Sequence, residues 1–376
     1  MEKSKILVIG ATGNLGYHLA EASLRFSHPT FALVRHSAFS DPIKAQKLHS
    51  LSEAGATLIK GSLQDEAIVA EAVKLVDVVI CAVSAKDTLL QKLLIPVIKQ
   101  TPSIKPEFSI SIFVLVKHHF LTLFEFLNRF IPSEFGSDPT KVRISELDDG
   151  YNFYAPKVEI RRLVEAEGIP FTFISCNFFM RILLSSLAQP GLDAPPRDKV
   201  TIFGDGNTKG LLHQSRPLFF YLLPNCLFMN GFSAGVFMNE SDVAAFTINA
   251  VDDPRTLNKV LYLRPPGNVC SFNELVEMWE IKIAKKLEKL HVSEGELLQK
   301  IKETSFPANF EMLFIYSAFI KGDHTYFDIE PSSGFRLCWE CWESVQSTYF
   351  SFESFHFFNV MFILYLSKHN LSMYNC

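Results

Sequence analysis

Three glycines and one lysine stand out as residues that could do chemistry together. The stretch "VIGATGNLG" sets Gly10, Gly13 and Gly16 three residues apart, between a short apolar run and a segment of helical spacing. Each glycine has a physical reason. The first permits a tight turn, the second lets a pyrophosphate approach the backbone, and the third lets helix and strand pack closely. Gly10, Ala11, Thr12, Gly13, Asn14, Leu15 and Gly16 are therefore read as a dinucleotide-binding loop, with helix N–H groups available to phosphate. The bland alternative is a plain turn. The next apolar run ends "ALVR". An acidic residue there would suit the ribose hydroxyls of NAD. Arg35 instead suits the 2′-phosphate of NADP, and Lys44 on the following helix adds a second positive charge. Both also have an ordinary reading as solvated surface cations. Hydride transfer at a nicotinamide needs a proton donor or acceptor nearby. A Tyr-x-x-x-Lys pair is a common arrangement, but here Tyr154 lies three residues before Lys157 and Phe153 lies four before. Lys157 alone is the candidate.

These residues need elements to position them. "KILVIG", "PTFALVR", "ATLIKGS", "DVVICAVS", "RFIPSEF" and "FTFISCNFF" read as strands. Between them, "NLGYHLAEASLRF", "DPIKAQKLHSLSEAG", "DEAIVAEAVKLV" and "APKVEIRRLVEAEG" read as helices. The second has Asp41 as cap, Pro42 in the first turn and Gly55 at its stop. Strands alternating with helices imply an α/β fold with a doubly wound parallel sheet of the NAD(P)-binding Rossmann type. Residues 1–194 are expected to form the dinucleotide-binding domain and 195–334 a smaller substrate-side part, with a helix over "SFNELVEMWEIKIAKKLEKL".

Several longer stretches carry a family pattern: "GATGNLGYHL", "HPTFALVR", "RFIPSEFGSDP", "KVEIRRLVEAEGIPFTFISCNFF", "APPRDKVTIFGDGN", "NESDVAAFTINAVDDPRTLNKVLYLRPP" and "FIKGDHTYFDIEPSSG". Together they resemble the plant isoflavone reductase-like family, atypical short-chain dehydrogenases with an NmrA-like fold. The family includes isoflavone, pinoresinol–lariciresinol and phenylcoumaran benzylic ether reductases. The resemblance implies NADPH as cofactor, a small aromatic substrate, and Lys157 as catalytic base ahead of Arg161 and Arg162. It points the glycine loop, Arg35 and Lys44 to NADPH, and sets Asn177 and Phe178 near the nicotinamide. Arg161 would orient substrate or depress the lysine's pKa; a plain helix-surface cation is the competing reading. A second reading of the whole chain is an NmrA-like sensor that binds NADP without turnover. Departures occur at Gly61-Ser62-Leu63, at "CAVSAKD" and at "MRILL", around the adenine or the substrate pocket, so substrate identity stays open.

The chain has 376 residues and a net charge of -4, which gives no electrostatic footprint for nucleic acid or an anionic membrane. Its seven Cys suit a reducing compartment, and the N-terminus enters a strand without a signal-peptide pattern. A cytoplasmic location is expected, and the resemblance leaves room for a homodimer. Phe is unevenly spread. The blocks 106–128, 211–235 and 335–376 hold 16 of the 35 Phe within 90 residues. The first is no membrane span, because Lys117, His118, His119 and Glu125 interrupt it. Family sequence resumes across the first two blocks and stops at the third. The expectation is that all three are foreign to the enzyme, as translated introns would be; long surface loops of a divergent enzyme are the competing reading. "CWEC", with Cys338 and Cys341, lies in the third block without a second ligand pair, so no metal is expected. Transcript sequencing tests the intron reading. Messages that join the Lys105 codon directly to the Arg129 codon are expected, and their absence from every tissue overturns it.

Overall fold

The computed structural model describes residues 3–100, 127–143, 153–207, 234–265, 268–305, 307–329 and 334–337. Of the three Phe-rich blocks only the edges fall within them: Leu127 and Asn128, Ala234 and Gly235, and Phe335–Leu337. His118, His119, Cys338 and Cys341 lie outside the described residues.

The chain opens with β1 (Ile6–Ile9), four apolar residues buried on both faces, as a central parallel strand requires. There follow α1 (Asn14–Arg25), β2 (Thr30–Val34), α2 (Pro42–Glu53), β3 (Thr57–Lys60), α3 (Glu66–Lys74), β4 (Val78–Cys81) and α4 (Leu94–Gln100). Asp41 caps α2 as expected, accepting from the N–H groups of Ile43 and Lys44. Next come β5 (Arg129–Ile131), α5 (Ala155–Ala166), β6 (Thr172–Ser175), β7 (Phe178–Phe179), α6 (Met180–Leu183) and β8 (Lys199–Phe203). Then follow β9 (Gly235–Met238), α7 (Glu240–Val251), β10 (Lys259–Leu263), β11 (Val269–Cys270) and α8 (Phe272–Ile283). The described chain ends with β12 (Glu288–Val292), α9 (Glu294–Glu303), α10 (Phe310–Ile315) and β13 (Gly334–Leu337).

Five strands pair in the order β3-β2-β1-β4-β5, all parallel. Parallel bridges between Phe130 and Phe171 and between Gly136 and Ser175 bring β6 alongside β5. β6 pairs with β10, and β10 with β13, again in parallel. The strand order reverses between β1 and β4, so a cleft opens at their carboxyl ends. The expected doubly wound sheet is therefore present. The smaller part carries the sheet β11-β9-β7 and the pair β8-β12 around a core of Phe237, Phe272, Trp279 and Phe319. The two halves interleave in space. β10, β13 and α7 come late in the chain, yet the strands extend the large sheet and α7 packs on α1, burying Val243, Ala244 and Ile248 with Leu19 and Ala20.

Two expected elements differ. The helix predicted over Ser271–Leu290 stops at Ile283. Ala284 turns left-handed at φ 52° and donates to the Glu280 and Ile281 carbonyls, and Glu288–Val292 then runs extended against β8. "FTFISCNFF" is not one strand. Asn177, at φ 58°, ends β6, so that Phe178–Phe179 pair with β9 in the other sheet. Among the described residues no helix is long and apolar enough to cross a membrane, and no group of His, Cys, Asp or Glu could hold a metal ion.

Arg129 ties these layers together. Its buried guanidinium donates to Thr172 Oγ1 on β6, to the Ala250 carbonyl at the end of α7, to Thr256 Oγ1 and to the Asp253 carbonyl. Replacing it strands several buried acceptors. Arg129→Met is expected to lower unfolding stability by about 3 kcal/mol, read from denaturant midpoints.

Candidate active site

The glycine loop lies across the cleft. Gly10 adopts φ 92°, and a Cβ there would stand 2.3 Å from the Ala82 carbonyl oxygen at the end of β4. A Cβ on Gly16 would stand 2.0 Å from the Gly10 carbonyl oxygen, so α1 packs backbone to backbone on the turn. Gly13 caps α1 with an N–H bond to the Gly10 carbonyl and no side chain over the helix start. Gly13 and Asn14 are exposed and Thr12 and Leu15 half-buried, while Ala11 is buried against the sheet. Helix N–H groups without a covering side chain are a phosphate cradle.

Arg35 stands exposed just past β2 and has no ion pair among the described residues. Lys44 is paired with Asp41 at 2.8 Å, so its charge is partly committed to the cap of its own helix. Sequence reading missed Lys47. Its Nζ lies 3.4 Å from the Thr12 carbonyl oxygen and 5.4 Å from the centre of the Tyr17 ring, facing the glycine loop. The signal was its place one turn after Lys44 on α2.

Lys157 sits in the first turn of α5, 6% exposed. Its Nζ donates to the Glu134 carbonyl oxygen, and the Phe153 ring covers it at 5.0 Å. Burial lowers its pKa to about 8, with Arg161 adding to the drop and Glu134 and the Cys176 thiol opposing it. Arg161, one turn further along α5, is 5% exposed, which removes the surface-cation reading. Its Nε and Nη2 bind both oxygens of Glu134 at 2.6–2.8 Å, and Nη1 binds Asp138 Oδ1 at 2.9 Å. Asp138 also accepts from Thr140 and from the Tyr262 hydroxyl. Burial pushes Asp138 up, but the guanidinium and these donors outweigh it and hold the carboxyl below its ordinary value.

The same loop is held from the smaller half. His324 is fully buried, and its Nδ1 accepts from the Val236 N–H. The proton therefore sits on Nε2, which donates to Ser137 Oγ at 2.9 Å. Burial takes His324 down to about 3, so it stays neutral. Tyr154 also hydrogen-bonds Ser137, and burial raises its pKa. Glu134, Ser137, Asp138, Tyr154 and His324 were not singled out from sequence as site residues. Four of them lie in quoted motifs, but pattern alone does not say which polar side chains turn inward.

Asn177 is 3% exposed, and its Nδ2 has no acceptor among the described residues. A buried amide donor without a partner there is free to take one from a ligand. Phe178 turns into the aromatic core, with ring centres 4.3 Å from His324 and 5.1 Å from Phe314. The glycine cradle and the orphan Asn177 amide both fit a dinucleotide lying across the carboxyl ends of β1 and β4.

A parallel sheet with a glycine loop at its switch point and a buried lysine beside it define a dinucleotide-binding protein. Residues 2–118 and 126–355 match the NmrA-like family, and the chain belongs to that family. It is 53% identical over 333 residues to a probable pinoresinol-lariciresinol reductase 3 of Arabidopsis thaliana, across 89% of this chain and 91% of that one. The crystal structure of an isoflavone reductase, 33% identical, matches with a TM-score of 0.72 over 92% of this chain and 96% of its own. That of AtPrR2 with NADP+ and (+)pinoresinol, 31% identical, matches with a TM-score of 0.71 over 89% and 93%. These relatives bear out the isoflavone reductase-like resemblance read from the motifs.

The buried ammonium has a consequence for stability. The unfolded chain protonates Lys157 with the ordinary value of 10.5, the folded one at about 8. Folding therefore releases a proton between these values, and burying the charge costs stability below pH 8. Lys157→Met is expected to be more stable than the parent at pH 7, by at most about 3 kcal/mol. The gain should shrink as pH rises from 8 toward 10.5, in denaturant midpoints taken along that range.

Proposed function

We propose that this chain is an NADPH-dependent reductase of phenylpropanoid-derived aromatics, acting on a benzylic ether of the pinoresinol type. The observation that carries the reading is Lys157: a buried amine, aimed by the Glu134 carbonyl, that loses its proton within reach of neutral pH. The cofactor, seated along the glycine loop, supplies the hydride. Gly10 and Gly16 let strand, turn and helix pack closely, Gly13 leaves the start of α1 uncovered for a pyrophosphate, and Arg35, with the Asp41-paired Lys44 as a second cation, would meet the 2′-phosphate that separates NADPH from NADH. The Asn177 amide is available to an acceptor on the nicotinamide side.

Lys157 takes the proton of the substrate phenol. The phenolate pushes electrons through the ring and expels the benzylic ether oxygen, leaving a quinone methide whose benzylic carbon accepts hydride. The Lys157 ammonium returns its proton to the released alkoxide, and hydride addition regenerates the phenolate, which takes one proton from solvent. With that proton counted, one C–O bond is replaced by one C–H and one O–H bond. An isoflavone would instead accept hydride at its enone. Phe153, over the lysine, and the aromatic cluster of Phe310 and Phe314 behind it suit a flat aromatic substrate and a dry site. Arg161 acts through the 134–138 loop, because its guanidinium is occupied by Glu134 and Asp138.

The test is turnover by the purified chain of pinoresinol, a phenylcoumaran dimer and an isoflavone with NADPH. Reduction of a benzylic ether is expected, and Lys157→Ala should lower kcat by roughly 10²–10⁴-fold while NADPH binding, read by nicotinamide fluorescence, is kept. NADPH binding without turnover of any of the three would favour the sensor reading. Full activity in Lys157→Ala would remove the base.

A further inference from the structure

Glu134 touches the lysine and the neighbouring arginine at once. Its backbone carbonyl accepts the Lys157 Nζ proton, and its carboxylate points the other way, into the Arg161 guanidinium. Lys157 and Arg161 are four residues apart on α5, so both reach the same loop from one helix face. The loop has little freedom. Arg161 also grips Asp138 at its far end, His324 holds Ser137, and a Cβ on Gly136 would stand 3.3 Å from Nζ.

We propose that Glu134 is the positioning residue for Lys157, its carbonyl fixing the direction of Nζ and its Arg161-clamped carboxylate setting the local field at the amine. The inference rests on the reading of Lys157 as the base. Burial raises the Glu134 carboxyl above its ordinary value, and three hydrogen bonds from the Arg161 guanidinium oppose that rise and favour the anion.

The groups that face Nζ come from three elements. The loop after β5 brings the Glu134 anion, with Asp138 behind Arg161. α5 brings the Arg161 cation. The end of β6 brings Cys176, whose thiol burial raises to about 12, so it is uncharged. Tyr154 and the neutral His324 both hydrogen-bond Ser137 on the same loop, and the Phe153 ring adds its face. The charged neighbours are thus a matched pair of opposite sign. Glu134→Gln keeps the shape but deletes the anion and leaves Arg161 uncompensated, which disfavours the ammonium. Arg161→Gln deletes the cation together with the bonds that oppose protonation of the buried Glu134, so the pair is lost together and the field at the amine changes much less. That difference separates field from scaffold.

The experiment measures kcat/KM against pH with NADPH in the parent, Glu134→Gln and Arg161→Gln. Alongside it, denaturant stability against pH is compared with and without Lys157→Met in each background. The second readout needs no turnover, so it reports the amine even where the base assignment fails. A parent without an acid limb in kcat/KM would count against the base and leave the stability readout to decide Glu134. In Glu134→Gln the acid limb and the stability onset are expected to move down by roughly one pH unit; in Arg161→Gln, where the pair is lost together, no comparable downward shift is expected. Arg161→Gln strips two buried carboxylates of their partner, so if it does not fold, Glu134→Gln decides alone. An onset in Glu134→Gln that stays in place or moves up overturns the proposal. So does a downward shift in Arg161→Gln as large as that in Glu134→Gln.

Discussion

One buried guanidinium holds the site together. Arg161 lies between two carboxylates with almost no water around it, and each carboxylate sits on the short loop that leaves β5. Charges taken out of water are tolerable only when geometry and hydrogen bonds compensate for lost hydration. Here the compensation is close to complete: three bonds to Glu134, one to Asp138, and further donors to Asp138 from Thr140 and Tyr262. These bonds tie both ends of the loop to one guanidinium. That arrangement puts the Glu134 carbonyl against Nζ of Lys157.

The loop is also where the halves of the molecule meet. Asp138 is tied to Tyr262 on β10, and Ser137 to His324 beyond α10, both far along the chain. Arg129, at the start of β5, does the same for the ends of α7 and β6. The position of Lys157 therefore depends on contacts made by residues 250–324, although it sits in the first half of the chain. Buried polar networks of this kind favour one arrangement over near alternatives, since each broken link leaves an unpaired group away from water.

Lys157 itself is an expense to the fold. An amine kept from water is easier to deprotonate and harder to bury as a cation. The matched charges around it leave burial as the chief influence on its pKa. The Asn177 amide is a second such place, a buried donor without a partner among the described residues.

The repeating pattern of the first half was legible in the sequence, because it is local. Apolar runs of four to five residues, caps such as Asp41 and a glycine loop between strand and helix follow from backbone sterics and burial within a few residues. Lys157 was singled out because the usual Tyr-x-x-x-Lys pair is missing around it, and the fold shows it buried beside Arg161. Other features were not legible. "FTFISCNFF" reads as one strand, yet it changes sheets at Asn177 because its partners, β10 and β9, are more than fifty residues away. The helix over "SFNELVEMWEIKI" stops where β8 offers a paired edge to Glu288–Val292. Glu134, Asp138 and His324 look like ordinary polar residues until the fold closes over them. The sequence by itself determined the doubly wound sheet, the glycine turn between strand and helix and the place of Lys157 at the start of a helix, since these depend on neighbours in the chain. The tertiary structure alone decided which charges are buried, whom they face and how strongly the lysine holds its proton, since those depend on desolvation and partners that distant segments bring.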